Sequence, residues 1–302
     1  MRTTLWLMAC LLCAACNSAG DAADAGDPIG QDGSPADSTS GATCDGLPGP
    51  PMIHVQAPEG TTYCIDSTEV TQAHYAQFLA AVQATPGTEH PECGLNKDYS
   101  PTLWPDSAEN EFCKHDMWTP SATPNRPVVC IDWCDAYAYC TWAGKRLCGK
   151  VGGGPGPFSP GTVSGPDPNN PAANASLSEW YNACSQGGIT PYPYGDTYQP
   201  TTCLGWDALD PDAGGKGLGD VGSFAGCHGT AAPYSFIADL SGSVSEFTDE
   251  SYVSPNDGFK DYVSRGGSYA NGHADMSCIS ASTVGANAPG PATGVRCCKS
   301  LL

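Results

Sequence analysis

Positive charge is what this sequence has least of. Only 12 of its 302 residues are Lys or Arg, against 32 Asp or Glu, so the formal net charge is −20. Such a surface repels phosphate backbones and anionic headgroups, which excludes nucleic acid as a partner and favours cations. Charge of either sign is scarce at 15%, while 37 Gly and 27 Pro imply many turns and few long helices. No apolar run is long enough to span a bilayer: the most apolar stretch, Leu5 to Ala15, is too short for a permanent anchor. There is no Ser-His-Asp order, no His-Glu-x-x-His and no paired-carboxylate spacing. The run Gly152-Gly-Gly-Pro-Gly-Pro157 lacks the Lys-Ser/Thr of a phosphate loop and reads as an inserted surface loop. No internal repeat is present.

Cysteine, in contrast, is abundant, with 17 in the chain. Cys10, Cys13 and Cys16 fall in the first stretch, and the remaining 14 run from Cys44 onward, an even number with irregular spacing. Disulfides formed outside the cytoplasm fit this pattern better than zinc modules. Residues 1–15 read as a lipoprotein-type signal peptide, a short basic start followed by an apolar run. Cys13-Ala-Ala-Cys16 resembles a lipoprotein cleavage box with Cys16 as the lipidated residue, and ordinary signal cleavage is the alternative because Cys13 replaces the usual leucine. The expected destination is the bacterial cell envelope, with the membrane as a partner through the lipid anchor, or a soluble periplasmic or secreted form. Residues 16–45 are an Asp/Ala/Gly/Ser tether without the apolar content to order itself, spanning on the order of 30 Å r.m.s.. Residues 46–302 form the folded domain.

Within that domain, Tyr63 to Val70 reads as a strand, followed by a helix that Thr71 caps and that buries Tyr75, Phe78, Leu79 and Val82 until Pro86-Gly87 ends it. Pro127 to Ile131 reads as a buried strand. Asp132 then caps a helix whose stripe is Trp133, Ala136, Tyr137, Cys140 and Gly144. Ser176 with Glu179 has the spacing of a capping box, and the helix through Trp180, Tyr181 and Cys184 is expected to pack on the Trp133 helix. Between His90 and Asn125, a Cys93–Cys113 disulfide is expected, with a zinc site from Cys93, Cys113 and His115 as the alternative.

The Arg126 to Cys148 segment, Ser178-Glu-Trp-Tyr-Asn-Ala-Cys184, Tyr192-Pro-Tyr-Gly195, Asp239-Leu-Ser-Gly-Ser-Val-Ser-Glu246, Arg265-Gly-Gly-Ser-Tyr269 and Gly294-Val-Arg-Cys297 occur in that order. Together they resemble the formylglycine-generating enzyme (sulfatase-modifying factor) family, from Tyr63 to the C-terminus. The resemblance implies an α+β fold, a C-type-lectin-related single domain with little regular secondary structure. It implies a calcium ion held by the side chains of Asp239 and Glu246 and the carbonyls of Gly242 and Val244, the hard oxygen ligands this cation prefers. Here the family's Asn-x-Trp-Glu-Trp wording reads Ser243-Val-Ser-Glu-Phe247. The resemblance also puts Arg265, Ser268 and His273 at a candidate cleft and implies the disulfides Cys140–Cys297 and Cys184–Cys278. Cys64–Cys298 and Cys134–Cys148 are further expected pairs, although spacing does not fix connectivity.

The family's oxidases bind copper through two cysteines shortly after the Gly-Gly-Ser turn, soft thiolates suited to Cu(I). In the corresponding segment, Ser268-Tyr-Ala-Asn-Gly-His-Ala-Asp-Met-Ser-Cys278, the one cysteine matches a structural cysteine of the family. Both copper ligands are therefore missing, with Asn271 or Met276 in their place; His273 with Met276 is an alternative copper pair. The expected function is a calcium- and disulfide-stabilised surface module binding a ligand, peptide or glycan. The alternatives are an enzyme of another kind on the same fold and a formylglycine-generating oxidase.

Overall fold

The computed structural model describes residues 43–103, 112–159, 170, 173–208, 217–256 and 258–301, all within one compact unit spanning Gly41–Leu302. The leader, Cys16 and nearly all of the tether lie outside the described residues, as does much of the inserted loop after Pro157. Among the described residues, no helix is long and apolar enough to cross a membrane.

The chain begins with an antiparallel pair, Met52–Gln56 (β1) and Thr62–Asp66 (β2), so the strand expected to reach Val70 stops at Asp66. Thr71 caps Gln72–Ala81 (α1), with Thr71 Oγ1 accepting from His74 N and His74 Nδ1 accepting from Thr71 N. Asp132 and Asp135 form the equivalent reciprocal box at the start of Trp133–Trp142 (α2). Both helices contribute to the larger core, where Tyr75 stacks on Tyr139 and Trp133 on Tyr262, the latter with ring centroids 3.6 Å apart. Gly144, at φ +70, ends α2 in a conformation that favours glycine.

Pro127 to Ile131 corrects the expected strand. The segment is buried and bonds through Val128 N to Val70 O and Cys130 N to Gly290 O, but it joins no sheet beyond a single bridge between Thr71 and Pro127. Cys130 sits at φ +63, which interrupts an extended run.

Two sheets carry the rest. Arg146–Leu147 (β3) and Cys297–Ser300 (β9) complete the first, in the order β1-β2-β9-β3. Gly156–Pro157 (β4), Ser245–Val253 (β5), Lys260–Arg265 (β6) and Ala281–Val284 (β7) form the second in sequence order, with Thr293–Val295 (β8) parallel to β5. The last strands therefore pass from one sheet to the other across Arg296. Glu179–Cys184 (α3) starts at Ser178, whose Oγ accepts from Tyr181 N. Ser178 rather than Ser176 is the cap, and Trp180 belongs to a second apolar cluster with Val55, Tyr63, Ile65 and Leu240 instead of the α2 cluster.

All fourteen cysteines from Cys44 onward are paired: Cys44–Cys64, Cys93–Cys134, Cys113–Cys130, Cys140–Cys297, Cys148–Cys298, Cys184–Cys278 and Cys203–Cys227. Three expected pairs are corrected. Cys93 meets Cys134 on α2 and leaves Cys113 to Cys130, so neither offers the thiolate a zinc site with His115 requires. Cys64 takes Cys44 from the chain just before β1, and Cys298 takes Cys148, which directly follows the strand paired with β9.

Candidate functional site

Four of the sequence motifs, those holding Trp180, Glu246, Gly266 and Arg296, converge where the two sheets meet. Arg296, fully buried, donates from Nε to Glu246 Oε1 at 2.8 Å, from Nη1 to Asp66 O and from Nη2 to Ala238 O. Trp180 Nε1 donates to Glu246 Oε2 at 2.6 Å, and the same indole lies against Gly266. A side chain at Gly266 would meet that ring, and one at Gly242 would meet the carbonyl of Leu204 and the methyl of Met276. Both glycines have positive φ, and Gly242 N donates to Gly266 O, so the two turns interlock.

The expected calcium residues share this region. Asp239, itself at φ +63, is buried, and its Oδ2 accepts from Gly222 N. Glu246 has both oxygens engaged by Arg296 and Trp180. Sequence reasoning missed a third carboxyl, Glu69, which is fully buried and whose oxygens receive no hydrogen-bond donor. Its signal was a carboxylate directly before Val70 and the helix cap. Burial raises the Glu69 carboxyl well above its ordinary range and the adjacent Asp239 adds to this; Asp239 is likewise raised, first by burial. Each of these two buried carboxyls is perturbed by the other. Three buried carboxyls thus face one buried guanidinium, an excess of negative charge that a divalent cation relieves as well as a proton does. In charge and in donor chemistry the set fits calcium, although Glu246 must share its oxygens with Arg296.

Copper does not fit. The one cysteine of the segment after the Gly-Gly-Ser turn, Cys278, is bonded to Cys184. Met276 is buried against Gly205 and Gly242, whereas His273 is exposed and stacks on Tyr198 with ring centroids 4.4 Å apart. Among the described residues, Glu89, Cys93 and Cys134 are one close set of metal-type side chains, but both cysteines are oxidised in one disulfide.

The cleft residues separate. Arg265 is fully buried, with Nε donating to Glu250 at 2.6 Å and its guanidinium over Trp180 and Phe158, so it is a core residue. Ser268 is buried and donates to Asn271 Oδ1. His273 alone reaches the surface.

The domain family described as "Sulfatase-modifying factor enzyme 1-like domain" matches residues 42–301. No curated protein matches the chain. Among solved structures, PvdO from Pseudomonas aeruginosa is 16% identical, covering 83% of this chain and 91% of its own, with a TM-score of 0.47. CarF is 17% identical over 84% of this chain and 99% of its own, with a TM-score of 0.47. Treponema denticola variable protein 1 is 16% identical over 82% and 94%, with a TM-score of 0.42. On the extent of the domain match, this chain belongs to the sulfatase-modifying factor enzyme 1-like family.

Proposed function

We propose that the chain is a non-copper member of its family, a calcium- and disulfide-stabilised binding module exported to the cell envelope and anchored there through Cys16. The observation that carries this reading is the complete pairing of the fourteen cysteines from Cys44 onward. A Cu(I) site of the family's kind requires two thiolates, and among the described residues no thiol remains to supply them. The density of disulfides supports an oxidising compartment. The excess of buried carboxyls at Asp239 supports a cation in the turn, held by Asp239, Glu246 and the carbonyls of Gly242 and Val244.

The test is mass spectrometry of a Cys-x-Pro-x-Arg peptide incubated with the purified protein, Cu(I), a thiol reductant and oxygen. The expected result is an unchanged cysteine with protein whose folding is verified in parallel. Conversion of the thiol to an aldehyde, absent without protein, would overturn the reading and restore the oxidase.

A further inference from the structure

Three segments meet on one face beside the Asp239–Glu246 turn. Trp206 N donates to Asn271 O, which lays 205–207 along 271–276. Tyr198 Oη donates to Asp207 Oδ2 at 2.8 Å, drawing the 192–198 segment onto both. Disulfides hold two of these segments at their bases, Cys203–Cys227 and Cys184–Cys278. Aromatic rings follow one another across the face, from Tyr194 to Tyr192, Tyr198 and His273, with successive centroids 5.5, 5.7 and 4.4 Å apart. Trp206 is 64% exposed, and Asp207, His273 and Asp275 are exposed with it.

We propose that this face, centred on Tyr198, Trp206, Asp207 and His273, docks basic peptide segments, their arginine or lysine side chains lying on the rings and pairing with Asp207 and Asp275. The inference rests on the binding-module reading and names the partner class. The chemistry selects cations for two reasons. Aromatic faces attract a guanidinium or ammonium through the ring quadrupole, and a planar guanidinium also stacks on them. Among the described residues the carboxylates are oriented by neutral donors, Asp207 by the Tyr198 hydroxyl and Asp275 by the Asn271 amide, and neither forms an ion pair. Residues 186–208 and 266–295 contain no Lys or Arg at all. A neutral glycan could use the rings but would leave that charge unmatched, and an anionic partner would be repelled.

The experiment is fluorescence anisotropy of a labelled hexa-arginine peptide titrated with the full chain, alongside competition by a neutral chito-oligosaccharide. Saturable binding is expected, with Trp206→Ala and Asp207→Asn each weakening it about tenfold. Raising NaCl to about 0.3 M should weaken it further. Glu59→Gln, which removes an exposed carboxylate elsewhere, should leave affinity unchanged. Trp206→Ala and Asp207→Asn both alter exposed side chains, and equal melting temperatures verify their fold.

Equal losses in Asp207→Asn and Glu59→Gln would overturn the proposal, since they would trace binding to the overall charge of −20. So would wild-type affinity in Trp206→Ala. Salt-independent oligosaccharide binding that Asp207→Asn leaves intact would also overturn it and assign the face to glycans. Absence of any peptide binding by the wild type overturns this inference alone, because the binding-module reading fails by the oxidase assay.

Discussion

Arg296 and Glu246 form a buried ion pair, Nε to Oε1 at 2.8 Å, at the point where the chain leaves one sheet for the other. The pair's other partners come from three parts of the sequence: Asp66 at the end of β2, Ala238 before the turn and Trp180 on α3. Replacing only the guanidinium strands a buried carboxylate and two carbonyls. Arg296→Met is therefore expected to destabilise the fold by about 3–5 kcal/mol, measured by urea denaturation. A loss below about 1 kcal/mol would mean that the pair does not tie the sheets together.

The cysteine pairing makes a prediction that needs no ligand. Thiol titration of the unfolded, unreduced domain should find no free thiol from Cys44 onward, and peptide mapping should recover Cys148–Cys298 and Cys44–Cys64 rather than Cys64–Cys298. Cys140–Cys297 closes a separation of 157 residues and fastens α2 to β9. Removing both of its cysteines should cost about 2–5 kcal/mol. A free thiol pair would undermine the argument against copper.

Much of this architecture was legible in the sequence because it depends on local chemistry. The caps of α1 and α2 follow from Thr71 and Asp132, and the core stripe from Tyr75 and Phe78, since side chain and backbone partner lie within one helical turn. The failures were long-range or conformational. Nothing in Pro127 to Ile131 announces the positive φ of Cys130 that keeps the segment out of a sheet. Cys64 chose the nearer Cys44 because the chain before β1 runs back beside β2, a path that spacing cannot reveal. Arg265 read as a cleft residue from its place in a motif, yet its partner Glu250 lies across the β5–β6 pair, which buries both. Glu69 and Asp239 are 170 residues apart by their numbers, so their pairing exists only in the fold.

Acid should stabilise this protein over part of the pH scale. Asp66, Asp132 and Asp249 are each raised to about 6, in every case first by burial. A carboxyl whose folded value lies above its unfolded one contributes stability that is complete below the unfolded value and is lost as pH rises through the folded one. Lowering pH from about 7.5 to about 5 should thus raise the melting temperature by several degrees, read by calorimetry. His74 and His90 are lowered by burial and act in the opposite direction, losing stability as pH falls, but they are two against a larger set of carboxyls. A melting temperature that falls steadily from pH 7.5 to 5 would contradict the burial of these acids.

The turn at Asp239 gives the sharpest discrimination between a cation site and an ordinary acidic turn. With Glu69, Asp239 and Glu246 buried around one Arg296, the cation-free protein bears negative charge on Glu69 and Asp239 only at a cost. If calcium relieves it, about 1 mM Ca²⁺ should raise the melting temperature of chelator-treated protein by several degrees. Trp180, bonded to Glu246, should sensitise the luminescence of Tb³⁺ bound in calcium's place. Asp239→Asn then separates the two cases. As a ligand, Asp239 is needed for both responses, and because its replacement also removes a buried charge, the variant should be at least as stable as the wild type without calcium. As a purely structural acceptor for Gly222 N, Asp239 would be replaced by the amide oxygen of Asn with the same effect on stability with and without calcium, and no calcium-dependent shift would exist to abolish.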